Sequence, residues 1–205
     1  MLRFEQVCKS YGAKSVLRNV SHHFAAGAFA LRGPNGIGKS TLLGVLAGAV
    51  EADSGTVWID QLSLRDAAIA ARSRLAYAPD ECPVYPFMTG RELLAFVAFA
   101  KRCALSAEVM DIVARFGLGS HLDTRCGDMS LGTQKKLMLA AAWIGEPCVM
   151  LFDEPSNGLD AAARLVLIEL LRSRSGANVI LVSTHDHEFA HAIGATVIEF
   201  ETLHA

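Results

Sequence analysis

The chain has 205 residues, with 19 Lys and Arg against 21 Asp and Glu, for a formal net charge of −2. That balance implies no basic surface, which makes nucleic acid a poor first expectation, and the length suits one domain with a full core, or a core plus a small subdomain. Hydrophobic residues make up 52%, above the usual range for a globular domain, yet the longest apolar runs, Leu93 to Ala100 and Leu137 to Ile144, stop short of membrane-spanning length. The excess is expected in a buried parallel sheet and a docking surface. The opening Met1-Leu2-Arg3-Phe4-Glu5 carries an early acid and no apolar stretch, so no signal peptide is expected. Cys8, Cys82, Cys103, Cys126 and Cys148 are odd in number and include no C-x-x-C spacing, which reads as reduced, packed thiols in the cytosol.

Along the chain, Leu2 to Val7 alternates and predicts a strand. Ser10-Tyr11-Gly12 predicts a turn, and Ser15 to Phe24 continues an antiparallel layer. Phe29-Ala30-Leu31 predicts a short strand leading into Gly33-Pro34-Asn35-Gly36-Ile37-Gly38-Lys39-Ser40, followed by Thr41. This fits the P-loop pattern G-x-x-x-x-G-K-[ST]. Backbone N–H groups must converge on phosphate oxygens there, and only glycine lets the backbone come that close. Lys39 supplies a charge to the β/γ-phosphates, and the Ser40 hydroxyl suits Mg²⁺. Ser40 to Ala49 predicts the helix whose N-terminus faces the phosphates. Asp53-Ser54-Gly55 then predicts a turn, with strands at Thr56 to Ile59 and Leu75 to Ala78.

The middle is predicted helical. Thr89-Gly90-Arg91-Glu92 is a capping box for a helix over Gly90 to Arg102. Ser106 caps a second helix that carries Val109, Ile112, Val113 and Phe116 on one face and closes at Gly117. Strand and helix then alternate: strands at Val149 to Phe152, Val179 to Val182 and Thr196 to Phe200, helices at Ala161 to Arg174 and Glu188 to Ile193. The elements predict an α/β fold with a P-loop NTPase core, a mostly parallel sheet, an N-terminal antiparallel β layer and a helical insertion over about 82–137, all in one domain of 1–205.

Phe152-Asp153-Glu154-Pro155 follows a buried strand. Asp153 stands where a Mg²⁺-coordinating carboxylate belongs, and Glu154, one residue on, is placed to activate or orient the attacking water. Val182-Ser183-Thr184-His185-Asp186 puts His185 at the same sheet edge, with a role at the γ-phosphate. His187 and His191 read as surface residues.

Gly33 to Thr41, Met129-Ser130-Leu131-Gly132-Thr133, Leu151 to Pro155, Asp160 and Thr184-His185 stand in the order found in ATP-binding cassette (ABC) transporter ATPases, which the chain resembles over essentially its whole length. The resemblance implies that Tyr11 stacks on adenine and that the loop from Gly33 through Pro34, Asn35, Gly36, Ile37, Gly38 and Lys39 to Ser40 and Thr41 binds the nucleotide. It further implies that Ser40 and Asp153 hold Mg²⁺, that Glu154 is the general base and that His185 contacts the γ-phosphate. Ser130 and Gly132 would complete the site of a second ABC ATPase subunit, with two ATP molecules sandwiched head to tail and Asp160 at the dimer interface. Two departures stand out. The signature usually reads Leu-Ser-Gly-Gly-Gln and here reads Met-Ser-Leu-Gly-Thr, and Asp80 replaces the Q-loop glutamine. A carboxylate at Asp80 can still reach Mg²⁺ or the attacking water, but it adds negative charge and donates nothing when ionised.

Asp80 to Phe96 looks like the corresponding stretch of ATPases that serve ABC-2-type exporters, and Cys82 to Met88, apolar and broken by prolines, reads either as buried packing of the helical insertion or as a groove for a cytoplasmic helix of an integral membrane permease. The implied activity is ATP hydrolysis powering that permease, most simply for export, from the inner face of the cell membrane. The short length also resembles the ATPase of the cytochrome c maturation haem exporter. A soluble, non-transport ABC ATPase acting on DNA or ribosomes would need basic arms or a long coiled coil, and the charge balance argues against nucleic acid. A small-molecule P-loop kinase would leave Ser130, Gly132 and His185 unexplained, and a regulator without turnover would not need Glu154 and His185.

Overall fold

The computed structural model describes residues 1–81 and 83–203. Cys82, the predicted start of the helical insertion and of the docking segment, lies outside the described residues, as do the last two residues.

Two sheets organise the chain. The N-terminal sheet is antiparallel, in the order β2-β1-β4-β5, built from β1 (Leu2–Tyr11), β2 (Lys14–Phe24), β4 (Ser54–Ile59) and β5 (Leu62–Ser63). The second is parallel throughout, in the order β6-β7-β8-β3-β9. Its strands are β3 (Gly27–Arg32), β6 (Leu75–Ala78), β7 (Val149–Asp153), β8 (Val179–Ser183) and β9 (Thr196–Glu199). The antiparallel β layer and the α/β core are those the sequence predicts.

The buried strands show why the parallel sheet needs apolar residues at consecutive positions. Val149 and Leu151 of β7 join Val179 and Leu181 of β8 in one apolar cluster, shared with Phe4, Phe24 and Leu17 of the antiparallel layer and with α1 (Lys39–Leu46). Met150 and Phe152 alternate to the other face with Ile180 and Val182. There they meet α3 (Gly90–Ala100), α4 (Ala107–Arg115), α5 (Leu131–Ala141) and α6 (Ala161–Arg174). Phe152 is fully buried, and burying such a side chain contributes about 1.5–3 kcal/mol.

Helices start where their caps direct. Thr89 and Glu92 form the predicted reciprocal capping box on α3, and Ser106, Ser130, Asp160 and Asp186 accept backbone N–H bonds at the starts of α4, α5, α6 and α7 (His187–Ala192). Gly117, in the left-handed region at φ 69°, follows α4 and lets the chain leave the helix without a Cβ clash.

Some local expectations need correction. Ser10 and Tyr11 are paired in β1 with Ser15 and Lys14, so the turn is Gly12-Ala13 rather than Ser10-Tyr11-Gly12. Ser54 and Gly55 open β4 rather than a turn, because Cys8 of β1 pairs with Ser54. The first core helix stops at Leu46 and α3 stops at Ala100, short of the predicted Ala49 and Arg102. β7 and β8 each run one residue further than predicted, and the last strand ends at Glu199, with Phe200–Leu203 forming a 3₁₀ turn. Neither β5 nor α2 (Ala68–Ser73) is expected from the sequence. Both are too short for a period to show; β5 is fixed by pairing with β4 through Trp58 with Ser63 and Ile59 with Leu62.

Candidate nucleotide site

Parallel pairing puts the carboxyl ends of the strands on one edge. Asp153 pairs with Ser183, Leu31 also pairs with Ser183, and Ala78 pairs with Phe152. The segments leaving that edge, which carry the P-loop, Asp80, Glu154 and His185, therefore converge, as ligand sites do in open α/β sheets. A cleft of about 390 Å³ opens there, lined by Tyr11, Lys14, Val16, Asn35, Gly36, Gly38, Lys39, Ser40, Thr41, Asp80, Asp153, Glu154 and His185.

The loop entering α1 depends on its glycines. Gly38 has φ 124°, and a Cβ there would stand 2.7 Å from Val16 Cγ1 and 3.2 Å from Phe200 Cζ, so any larger residue both strains the backbone and collides with the core. Lys39 is buried, and its Nζ donates to Gly33 O at 2.7 Å and Pro34 O at 3.1 Å, with His185 Nε2 at 3.4 Å. Gly33 and Pro34 line an adjoining cleft with Arg32, Asn35 and His187 rather than the main one. Ile37 stands apart from the cleft lining: its side chain packs against the N-terminal apolar cluster, which leaves only its backbone to face a phosphate.

Asp153 is 5% exposed and accepts a hydrogen bond from the Ser183 hydroxyl. The same hydroxyl accepts from Glu154 N at 3.2 Å, and Ser183 O accepts from it at 3.0 Å. These bonds hold Glu154 at φ 43°, a left-handed conformation that costs of order 1–3 kcal/mol outside glycine. Ser183 thus holds the Asp153 carboxylate and the Glu154 backbone, a role that a serine at a strand end does not advertise in sequence. Burial pushes the Glu154 carboxyl above its ordinary range; hydrogen bonding and charge from His185 oppose this, while Asp153 and Asp80 add to it. Neighbouring Tyr77 is pushed up to about 12 by burial and by the charge of Asp153.

The remaining candidates fall into two groups. Tyr11 is 51% exposed at the cleft mouth, with Lys9 Nζ 5.5 Å from its ring centroid. Asp80 lines the cleft, with its Oδ1 3.4 Å from Lys135 Nζ. Ser130 and Gly132 lie outside the lining, at the start of α5, where Ser130 Oγ accepts from Thr133 N and lies 2.9 Å from Thr133 Oγ1. The cleft also draws in Lys14 and Val16 of β2, which the sequence reading misses because nothing local marks a strand residue as facing a P-loop.

Among the described residues, no group of three or more His, Cys, Asp or Glu side chains could hold a metal ion by itself. The cleft does present a hydroxyl from Ser40 and a carboxylate from Asp153. Hard oxygen donors in that small number suit Mg²⁺, which is usually held by one or two protein oxygens together with substrate phosphates.

The family model described as ABC transporter matches residues 17–157. Nod factor export ATP-binding protein I of Paraburkholderia xenovorans is 36% identical over 197 residues, covering 94% of this chain and 65% of that protein. Linearmycin resistance ATP-binding protein LnrL of Bacillus subtilis is 28% identical over 197 residues, covering 92% of this chain and 62% of that protein. The chain therefore spans just under two thirds of the length of these curated relatives. A solved structure titled as the ATP binding subunit of an ABC transporter superposes with a TM-score of 0.82 at 30% identity, covering 93% of this chain and 81% of that one. A dimeric ATP-binding cassette in a post-hydrolysis state with ADP and Pi shares the fold, with a TM-score of 0.81 at 24% identity, covering 94% of this chain and 91% of that one. With a family match over more than half its length and the nucleotide-site motifs gathered at one sheet edge, the chain belongs to the ABC transporter family.

Proposed function

We propose that the chain is the ATP-binding and ATP-hydrolysing subunit of a transporter, working as a pair of cassettes beneath a separate integral membrane permease at the inner face of the cell membrane, and that it serves export. The observation that carries this reading is the meeting of Lys39, Ser40, Asp153, Glu154 and His185 in one cleft. The export direction is supported by the relatives named for Nod factor export and linearmycin resistance.

In this reading the P-loop amides and Lys39 hold the triphosphate, and Tyr11 stacks on the base. Ser40 and Asp153 would hold Mg²⁺, with Asp80 beside them; when bound, the ion neutralises charge on the phosphate oxygens. Glu154 takes the proton of the attacking water, and His185 contacts the γ-phosphate. Ser130 and Gly132 sit on a helix N-terminus away from the chain's own cleft, an arrangement that suits the anionic end of a nucleotide held by a second copy.

The permease partner is supported by an exposed aromatic patch. Tyr85 and Phe87 lie with ring centroids 5.8 Å apart, and Tyr85 and Phe96 5.9 Å apart. Phe87 is 67% exposed and Phe99 80%. Val84 and Met88 turn inward against the core instead. An exposed aromatic patch of this kind suits contact with another polypeptide; among the described residues, no helix is long and apolar enough to cross a membrane.

The test is Glu154→Gln in the full-length chain. ATP binding by fluorescent-nucleotide titration is expected to persist, phosphate release to fall by about 10²-fold or more, and light scattering to show a dimer only with ATP. Equal phosphate release from wild type and variant overturns the assignment of Glu154.

A further inference from the structure

We infer that Lys135 is a positioning residue for the nucleotide site: it pins the Pro79-Asp80 segment to α5 and so fixes where the Asp80 carboxylate stands in the cleft. The inference rests on the ATPase reading above and adds to it a residue outside the cleft lining.

Lys135 is only 4% exposed. A buried ammonium survives as a charge only when oxygens surround it. Its Nζ lies 3.1 Å from Asp80 O, 3.4 Å from Pro79 O and 3.4 Å from Asp80 Oδ1. All three oxygens come from the two residues that leave β6 for the cleft. The Asp80 side chain is half exposed and shares the cleft with Asp153 and Glu154. Unanchored, a carboxylate there would move away from two others, since like charges in one site repel. Lys135 opposes that drift by holding the backbone on either side and the carboxylate itself.

The neighbouring residue strengthens the geometry. Lys136 pairs with Asp160, the residue that caps α6. Two successive lysines on α5 thus grip two loops on different sides of the helix, one loop from the chain's own cleft and one from the start of α6. The helix that begins at Ser130 is therefore tied mechanically to Asp80. In this chain a carboxylate–lysine pair does the anchoring, which explains how an aspartate is accommodated at that position.

The experiment compares Lys135→Gln, Lys135→Arg, Asp80→Ala and the Lys135→Gln/Asp80→Ala double variant of the full chain. Glutamine is one atom shorter than lysine and uncharged, so it gives up the grip on Pro79 and Asp80 while keeping a polar side chain, and a thermal melt checks that the fold is retained. Supporting partners of a metal or phosphate site typically cost 10–100-fold when removed. Lys135→Gln is expected to lower kcat by about tenfold or more, with ATP KM and fluorescent-nucleotide affinity within about twofold. Lys135→Arg is expected to restore most of the loss, and the double variant to be no slower than Asp80→Ala alone. A Lys135→Gln kcat equal to wild type, or losses that multiply in the double variant, overturns the proposal and makes Lys135 a packing residue only. Absence of Mg²⁺-ATP turnover in the wild type sinks the ATPase reading instead, so the two failures are told apart.

Discussion

Glu154 and His185 meet through both the backbone and the ring of the histidine: His185 N donates to Glu154 Oε2 at 3.4 Å, and His185 Nε2 lies 3.5 Å from Glu154 Oε1. The same Nε2 is 3.4 Å from Lys39 Nζ. An ammonium can only donate and an ionised carboxylate can only accept, so this one ring nitrogen faces a donor on one side and an acceptor on the other. His185 thus stands between the cation proposed to grip phosphate and the carboxylate proposed to take a proton from water.

His185→Ala is expected to lower phosphate release by about 10²-fold or more, the scale of a lost polar group aimed at transition-state charge. ATP affinity is expected to stay within a few-fold, because the P-loop is untouched. Steady-state kinetics and a nucleotide titration on the same preparation check this; an unchanged kcat would remove His185 from the reaction.

Tyr11 stands half exposed at the cleft mouth. Base stacking on an aromatic ring is worth about 1–3 kcal/mol by alanine substitution, so Tyr11→Ala is expected to weaken ATP binding by about 5–150-fold, while Tyr11→Trp retains it. Equal dissociation constants for wild type and Tyr11→Ala would place the base elsewhere.

The aromatic patch gives a partner prediction. Phe87→Asp changes an exposed side chain and is expected to leave stability within about 0.5 kcal/mol and the basal ATPase within about twofold of wild type. Recovery of a membrane protein on affinity purification from detergent-solubilised membranes is expected to be lost. Unchanged recovery counts against this patch as the permease contact.

At the start of α3, Thr89 Oγ1 accepts from Glu92 N at 3.2 Å, and Glu92 Oε2 accepts from Thr89 N at 2.8 Å. Removing such a cap costs about 1 kcal/mol, so Thr89→Ala is expected to lower the urea midpoint by a corresponding amount. Hydrogen bonds from the Thr89 backbone and hydroxyl hold the Glu92 carboxyl below its ordinary range. A depressed carboxyl contributes stability above its unfolded pKa and loses it as pH falls through the folded value. The gap between wild type and Thr89→Ala should therefore be widest at neutral pH and narrow in acid.

Lys101 is driven down from 10.5 to about 8, chiefly by burial, while its Nζ donates to Ile144 O at 2.8 Å. Between those two values the unfolded chain binds a proton that the folded chain does not, so stability from this site rises with pH across about 8 to 10.5 and is lost as pH falls through about 8. Relative to Lys101→Met, the wild type should therefore gain stability over that window. Paired urea melts at pH 7, 9 and 10.5 give the check, and a constant difference would show that the amine does not titrate as the fold implies.

Much of this protein was legible in its residues. The capping box at Thr89, the apolar runs of β7 and β8, the glycine-lysine loop and the carboxylates after Phe152 all announce themselves, because caps, strand runs and P-loops are defined by neighbours in the chain. Tertiary structure alone decided the rest. Ser183 could become the partner of Asp153 only once β8 lay parallel to β7 in that register. Lys135 could reach Asp80 only across a sequence separation of 55, and Val16 could close on Gly38 only when the antiparallel layer packed against the P-loop. Hydrogen-bond periods and backbone preferences are local and leave a mark in composition; which distant side chains then meet depends on how sheets and helices pack, and that has no short-range signature.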